Sequence, residues 1–78
     1  MPARAYVLIT LETPLTQQVV ERLKKVRSAV AVHEVIGPFD VVVELEADTY
    51  EDLTAALRQQ IRPIQGIRTT VTCPFMQG

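Results

Sequence analysis

The sequence predicts a single α+β domain, and three observations support this. The chain has only 78 residues, which is too few for two independent hydrophobic cores. Two segments carry apolar residues at the spacing of an amphipathic helix, and four others show the alternation or apolar content of strands. The segments follow one another in the order β-α-β-β-α-β. A layer of helices packed on one sheet is therefore expected.

The first strand is predicted at Ala5–Leu11, where β-branched, aromatic and aliphatic side chains predominate. Pro14 then marks the start of a helix, with Thr13 or Thr16 as its cap. The apolar residues of this helix lie along one side, and polar residues occupy the other. These apolar residues are Val19, Val20, Leu23 and Val26.

The second strand is predicted at Val30–Ile36 and the third at Asp40–Glu46. The connection between them is Gly37-Pro38-Phe39. This link is too short for a parallel crossover, which needs about a dozen residues or more. The two strands are therefore expected to be antiparallel neighbours.

The second helix is predicted to begin with Asp48 as its cap, because Asp48 and Glu51 have the spacing of a capping box. It ends near Arg62, because Pro63 favours extended backbone in the residue before it. The fourth strand is predicted at Ile67–Cys73. The apolar residues of the helix are Leu53, Ala56, Leu57 and Ile61.

This order of elements is that of the ferredoxin-like fold, a four-stranded antiparallel sheet with two helices on one face. The second face of such a sheet is left uncovered. Its residues are nevertheless not strongly polar, since Tyr6 and Leu8 lie on the opposite side of the first strand from Val7. A fully solvated face is normally more polar than this. We therefore expect two copies to dimerise sheet to sheet.

Composition limits the possible functions. Eight Lys and Arg residues against nine Asp and Glu give a net charge of -1, which provides no electrostatic basis for direct binding to nucleic acid. The single cysteine, Cys73, forms neither an internal disulfide nor a Cys-x-x-Cys pair, as is usual in a reducing compartment. The N-terminus has no signal-peptide or membrane-span pattern. A cytoplasmic protein without a membrane partner is expected.

The most specific motif is His33–Val43, His-Glu-Val-Ile-Gly-Pro-Phe-Asp-Val-Val-Val. It resembles the His-x-Val-x-Gly-x-x-Asp hairpin in the effector-binding RAM domain of the Lrp/AsnC transcription regulators. Leu53, Ile64-x-Gly66-Ile67 and Thr70-x-Thr72 are similar to the rest of that domain in order and spacing. The resemblance extends over residues 4 to 75. Residues 1–78 are therefore expected to form a single RAM domain with no helix-turn-helix domain, like the stand-alone RAM proteins.

The resemblance implies a regulatory module that binds an amino-acid effector where dimers meet. Such dimers would assemble into an octamer or decamer ring. A full-length Lrp/AsnC regulator is a further implied partner, through which the module would act. The resemblance implies no catalytic residue, metal or cofactor.

The ligand-binding residues implied by the resemblance lie in the hairpin turn and the last strand. Backbone N–H groups of the turn would bind the effector carboxylate, and the Asp40 carboxylate would bind its ammonium group. Hydroxyl groups of the last strand would come from a neighbouring subunit, and Phe39 or Tyr6 would line the side-chain pocket. The full set is Ile36, Gly37, Pro38, Phe39, Asp40, Thr70 and Thr72.

Structural explanations remain open for these residues. Gly37 suits a turn that needs positive φ or a close backbone approach. Asp40 at the start of a strand is commonly a turn residue that accepts hydrogen bonds from nearby N–H groups. Thr70 and Thr72 are ordinary strand residues, because β-branched side chains pack well on a pleated surface.

Other candidate residues have simpler explanations. His33 and Glu34 are adjacent in a strand and point to opposite faces, so they cannot share a metal within one chain. Cys73 has no sequence feature that would activate its thiol. Glu44 and Glu46 lie on one strand face and are interpreted as solvated charges on an edge strand, where they discourage aggregation.

An alternative function is that of a small dimeric α+β barrel enzyme, similar to the isomerases or monooxygenases of that layout. Such an enzyme needs a pocket inside each subunit lined by His, Tyr or Asp side chains. A pocket enclosed between the helices and the sheet would favour this alternative.

Overall fold

The computed structural model describes residues 2–12 and 14–75. The strands form one four-stranded antiparallel sheet in the order β2-β3-β1-β4. Both helices are crossover connections of this sheet, so the predicted ferredoxin-like α+β fold is confirmed. The elements in chain order are β1 Ala3–Leu11, α1 Thr16–Lys24, β2 Ala29–Glu34, β3 Val41–Ala47, α2 Tyr50–Ala56, a π-helical segment Leu57–Ile61, and β4 Ile67–Phe75.

The core lies between the helices and one face of the sheet. Val7 pairs with Val43 and Ile9 with Val41 across the two interior strands, and all four side chains are completely buried. The described part of the chain contains no buried polar or charged residue. The alternation predicted for β1 and β3 therefore separates the core-facing residues from the others correctly.

The helix α1 buries Val19, Val20 and Leu23 of the apolar stripe predicted for it. Val26, the fourth predicted residue, is also buried but lies two residues beyond the end of the helix. The N-cap position is occupied by Leu15, so Thr16 is the first helical residue and not the cap. The other predicted cap, Thr13, lies outside the described residues. At the other end, Arg22 and Lys24 lie in the last turn, where positive charge interacts favourably with the helix dipole.

The helix α2 begins one residue later than predicted. Its cap is Thr49, whose Oγ1 accepts a hydrogen bond from the Asp52 N–H at 3.1 Å, so the capping box predicted from Asp48 is wrong. Thr49 has the extended backbone of a cap, with φ −135° and ψ 163°. The last turn widens into the π-helical segment, in which the Arg62 N–H donates to the Leu57 carbonyl at 2.9 Å. The predicted apolar set Leu53, Ala56, Leu57 and Ile61 is buried.

The sheet face directed away from the helices is called the open face. Strand β3 is an interior strand, so the interpretation of Glu44 and Glu46 as edge charges is wrong; both lie on the open face between neighbouring strands. Tyr6 and Val71 remain markedly exposed on this face. The open face carries Arg4, Tyr6, Leu8, Thr10, Ala31, His33, Val42, Glu44, Glu46, Thr69, Val71, Cys73 and Phe75.

The helices among the described residues are all too short to span a membrane.

Candidate functional site

Three connections meet at one end of the sheet, named the loop end: Glu12 after β1, the β2–β3 turn at residues 35–40, and the loop 62–66 before β4. Backbone hydrogen bonds hold them together. The Asp40 N–H donates to the Ile9 carbonyl at 2.9 Å, and the Glu12 N–H donates to the Gly66 carbonyl at 2.8 Å. The predicted turn residues therefore lie beside the ends of β1 and β4.

The β2–β3 turn is closed by the Val35 N–H, which donates to the Asp40 carbonyl at 3.0 Å. Gly37 has φ +144°, a conformation that other residues rarely adopt. A Cβ atom at this position would meet no atom within 4 Å. Glycine is therefore favoured by the backbone conformation and not by crowding within the chain, and the space beside it is open.

Asp40 connects the turn to strand β1. Its Oδ2 atom accepts a hydrogen bond from the Leu11 N–H at 2.8 Å, and its own N–H is bonded to Ile9. Asp40 therefore has the structural role that its sequence position allows, that of a turn residue whose carboxylate accepts a hydrogen bond from a backbone N–H group. The other carboxylate oxygen, Oδ1, has no hydrogen-bond partner among residues 2–12 and 14–75.

The donors of the turn are fewer than predicted. The Asp40 N–H is bonded to Ile9 and so is not available, and Pro38 has no N–H group. The N–H groups of Ile36, Gly37 and Phe39 donate to none of the residues that the structure describes. Three backbone donors and one carboxylate oxygen of the turn therefore remain for a ligand.

The apolar side chains of the turn differ in their exposure. Ile36 is fully exposed, at 105% of its reference area, and Pro38 is also exposed, whereas Phe39 is half-buried. Tyr6, the alternative candidate for lining a side-chain pocket, lies on the open face, where its ring stacks on Phe75 with centroids 4.6 Å apart. Within one chain, the apolar surface next to the turn donors therefore comes from the turn itself, through Ile36, Pro38 and Phe39, and not from Tyr6.

Thr70 and Thr72 lie on β4 and point to the helix side of the sheet. Thr70 is paired with Ile9, which is paired in turn with Val41, the residue after the turn. Two strand spacings separate Thr70 from Val41, which is about 10 Å. Thr72 lies one row further from the loop end, opposite Val7. The structure thus brings Thr70 closer to the turn than Thr72.

His33 and Glu34 are both exposed. They pair with Val42 and Val41, which lie on opposite faces of β3, so the two side chains point to opposite faces of the sheet as predicted. Cys73 is exposed on the open face. Across the described parts of the chain, no three His, Cys, Asp or Glu side chains lie together as a metal site.

Two surface depressions formed by described residues are open to solvent, and neither contains a predicted site residue. One follows the outer side of α2, near Tyr50, Thr54 and Arg58. The other lies beyond the opposite end of the sheet, near Arg27 and Asp48. Between the helices and the sheet, the described side chains pack as a continuous apolar core.

The family model described as "Lrp/AsnC ligand binding domain" matches residues 4–78. The chain belongs to this family. The hairpin motif and the Thr70-x-Thr72 strand, on which the sequence resemblance rested, both fall inside the match. A comparison with curated proteins gives no match.

Solved structures agree with membership of the Lrp/AsnC family. The crystal structure of FFRP-DM1 is 26% identical with a TM-score of 0.90, and the alignment covers 95% of this chain and 99% of that one. TTHA0845 from Thermus thermophilus is 25% identical with a TM-score of 0.91, covering 97% and 95% of the two chains. The transcriptional regulator NMB0573 from Neisseria meningitidis, solved as a complex with L-Met, has a TM-score of 0.87 over 96% of this chain and 50% of that one. At 6% identity the last similarity shows the fold alone.

Proposed function

We propose that this Lrp/AsnC domain is a regulatory module that binds an amino acid at its loop end. The observation that carries the proposal is the set of free groups in the β2–β3 turn: three N–H groups, from Ile36, Gly37 and Phe39, and the Oδ1 atom of Asp40. An amino acid presents a carboxylate and an ammonium group on one carbon atom. Adjacent donors and a carboxylate oxygen are complementary to that pair. The L-Met complex of NMB0573, which shares the fold, supports the same class of ligand.

The binding site in this proposal is completed by a second dimer. Small-molecule sites are concave and cover most of the ligand surface. In one chain Ile36 and Pro38 of the turn are exposed, so the turn by itself does not enclose a ligand. The open face, on which Tyr6 and Val71 are exposed, would join two copies sheet to sheet, and such dimers would form an octamer or decamer ring. Thr70, and further away Thr72, would then contribute hydroxyl groups across the contact.

The module acts without catalysis in this proposal, through protein contacts. The described core is entirely apolar, so the space between helices and sheet offers no polar group for the enzyme alternative. A full-length Lrp/AsnC regulator is the proposed partner, because it carries a domain of the same fold and a matching sheet face.

A thermal-shift screen against the common amino acids tests the binding step. A ligand at 100 times its dissociation constant stabilises the folded state by about 2.7 kcal/mol. For a domain of this size that corresponds to an increase in Tm of about 10 °C or more. No shift with any amino acid at millimolar concentration would contradict the proposal.

The Asp40→Asn variant tests the site itself. Asparagine keeps an oxygen that accepts from the Leu11 N–H, so the fold is retained, but it removes the negative charge offered to the ammonium group. A charge-assisted hydrogen bond contributes about 1.5–3 kcal/mol, so calorimetry should show affinity reduced by about 10- to 100-fold. The control is Asp48→Asn, an exposed aspartate at the opposite end of the sheet. Equal affinities for the two variants would show that the ligand binds elsewhere.

A further inference from the structure

Most polar side chains of the open face are paired within the chain. Arg4 donates to Oε1 of Glu46 from both Nε, at 3.2 Å, and Nη2, at 3.1 Å. The hydroxyl groups of Thr10 and Thr69 are hydrogen-bonded to each other. Such pairs can be covered by another protein surface at a lower cost than unpaired groups, because each partner already has a hydrogen bond within the chain.

His33 and Tyr6 are unpaired but exposed, whereas Glu44 is a carboxylate with no partner among the described residues. It lies at the middle of the interior strand β3, opposite Tyr6 on β1 and Ala31 on β2, and it is half-buried. Its carboxylate makes no hydrogen bond or ion pair with any residue that the structure describes. Among the described residues of the open face, the only permanent cation is Arg4, which is already bonded to Glu46.

Covering the open face would remove the Glu44 carboxylate from water. A buried carboxylate is unfavourable unless it gains a hydrogen-bond donor or a cation. Two packed sheets lie about 10 Å apart, so a second copy centred on this face would bring its own Glu44 carboxylate towards the first. It would add no free permanent cation from the described part of the face, because its Arg4 would again be bonded to Glu46. Like charges brought together across an interface oppose association.

We infer that Glu44 determines which partner the open face prefers. The preferred partner is a related Lrp/AsnC sheet that presents a Lys, Arg or amide side chain opposite Glu44, and a second copy of this chain binds more weakly. The inference rests on the sheet-to-sheet association proposed above and specifies the chemistry of its partner. Charge complementarity at one central position is what distinguishes the two partners.

Sedimentation equilibrium of the wild type, Glu44→Gln and Glu44→Lys tests the inference. Replacing the carboxylate by an amide should lower the homodimer dissociation constant by about tenfold or more, because one poorly paired carboxylate is removed from each of the two chains. An equimolar mixture of wild type and Glu44→Lys should form mainly the mixed dimer. The control is Glu21→Gln, which removes one exposed carboxylate from helix α1 on the other side of the molecule and should leave association unchanged.

The outcomes separate the two proposals. If Glu44→Gln dimerises with the wild-type constant, or more weakly, Glu44 does not oppose self-association and the inference is overturned while the dimer stands. If the wild type, both variants and their mixture all remain monomeric at high micromolar concentration, the sheet-to-sheet association itself is wrong. Far-UV circular dichroism of each variant confirms that the compared proteins are folded.

Discussion

Gly66→Ala is predicted to destabilise the domain through a contact between β4 and α1. Gly66 has φ +106°, and a Cβ atom there would lie 2.8 Å from Cγ2 of Val19 and 3.1 Å from Cβ of Leu15. Val19 is completely buried in α1, so it has no free space into which to move. The Gly66 carbonyl also accepts the Glu12 N–H, which holds the loop in position. Neither the backbone nor the neighbouring side chains can easily relax.

Two terms set the magnitude. A residue other than glycine at such a φ costs about 1–3 kcal/mol. Overpacking a filled core costs about 1–3 kcal/mol more. The sum of about 2–6 kcal/mol is a large share of the roughly 5–15 kcal/mol typical of a folded domain. Gly37 is a matched control, because it has φ +144° but open space around its Cβ position. Gly37→Ala should therefore cost only the first term.

Urea unfolding followed by far-UV circular dichroism measures both variants. They must be compared at one chain concentration, because association adds to apparent stability. The expected order of unfolding free energies, from highest to lowest, is wild type, then Gly37→Ala, then Gly66→Ala. The reasoning is refuted if Gly66→Ala lies within about 0.5 kcal/mol of the wild type, or if Gly37→Ala loses as much as Gly66→Ala.

Two further predictions concern helix α2 and the segment after it. Thr49→Ala should lower the free energy of unfolding by about 1 kcal/mol because it removes the N-cap hydrogen bond. Asp48→Ala is the control and should stay within about 0.5 kcal/mol of the wild type. A larger loss for Asp48→Ala than for Thr49→Ala would argue against the observed cap. Ile61→Ala should cost about 2–5 kcal/mol in the same urea titration, because the side chain is completely buried, and a loss below about 1 kcal/mol would show that the π-helical segment is not packed on the core.

Local patterns in the sequence predict the elements well, because burial imposes a period on the side chains. Alternation places Val7 and Ile9 on one face of β1, and Val41 and Val43 on one face of β3, and all four side chains are buried. The observed cap of α2 is Thr49, one residue after the predicted cap Asp48. The sequence does not distinguish the two, because Asp and Thr are both good capping residues. Only the backbone decides between them, and Thr49 has the extended conformation.

Contacts between segments that are far apart in the sequence explain the remaining differences between the sequence-based predictions and the structure. Pairing with the hairpin partner β2 alone would leave β3, and with it Glu44 and Glu46, at an edge of the sheet. The strand order of the fold itself inserts β1 on the other side of β3, where Arg4 meets Glu46. The bond from the Leu11 N–H to Asp40 joins residues 29 positions apart, and no local pattern indicates such a contact. The number of free acceptors in the turn depends on it.

Asp40 therefore has a structural role in the same place as its proposed binding role. One oxygen of its carboxylate fixes the end of β1 through Leu11, and only the other is free for an ammonium group. Replacing Asp40 by alanine would leave the part-buried Leu11 N–H without an acceptor and would also remove the charge, so lost binding would not distinguish an unfolded loop end from a missing ligand contact. Asparagine keeps the first function and removes the second. A variant that unfolds with wild-type stability but no longer binds an amino acid would locate the ammonium group at Asp40.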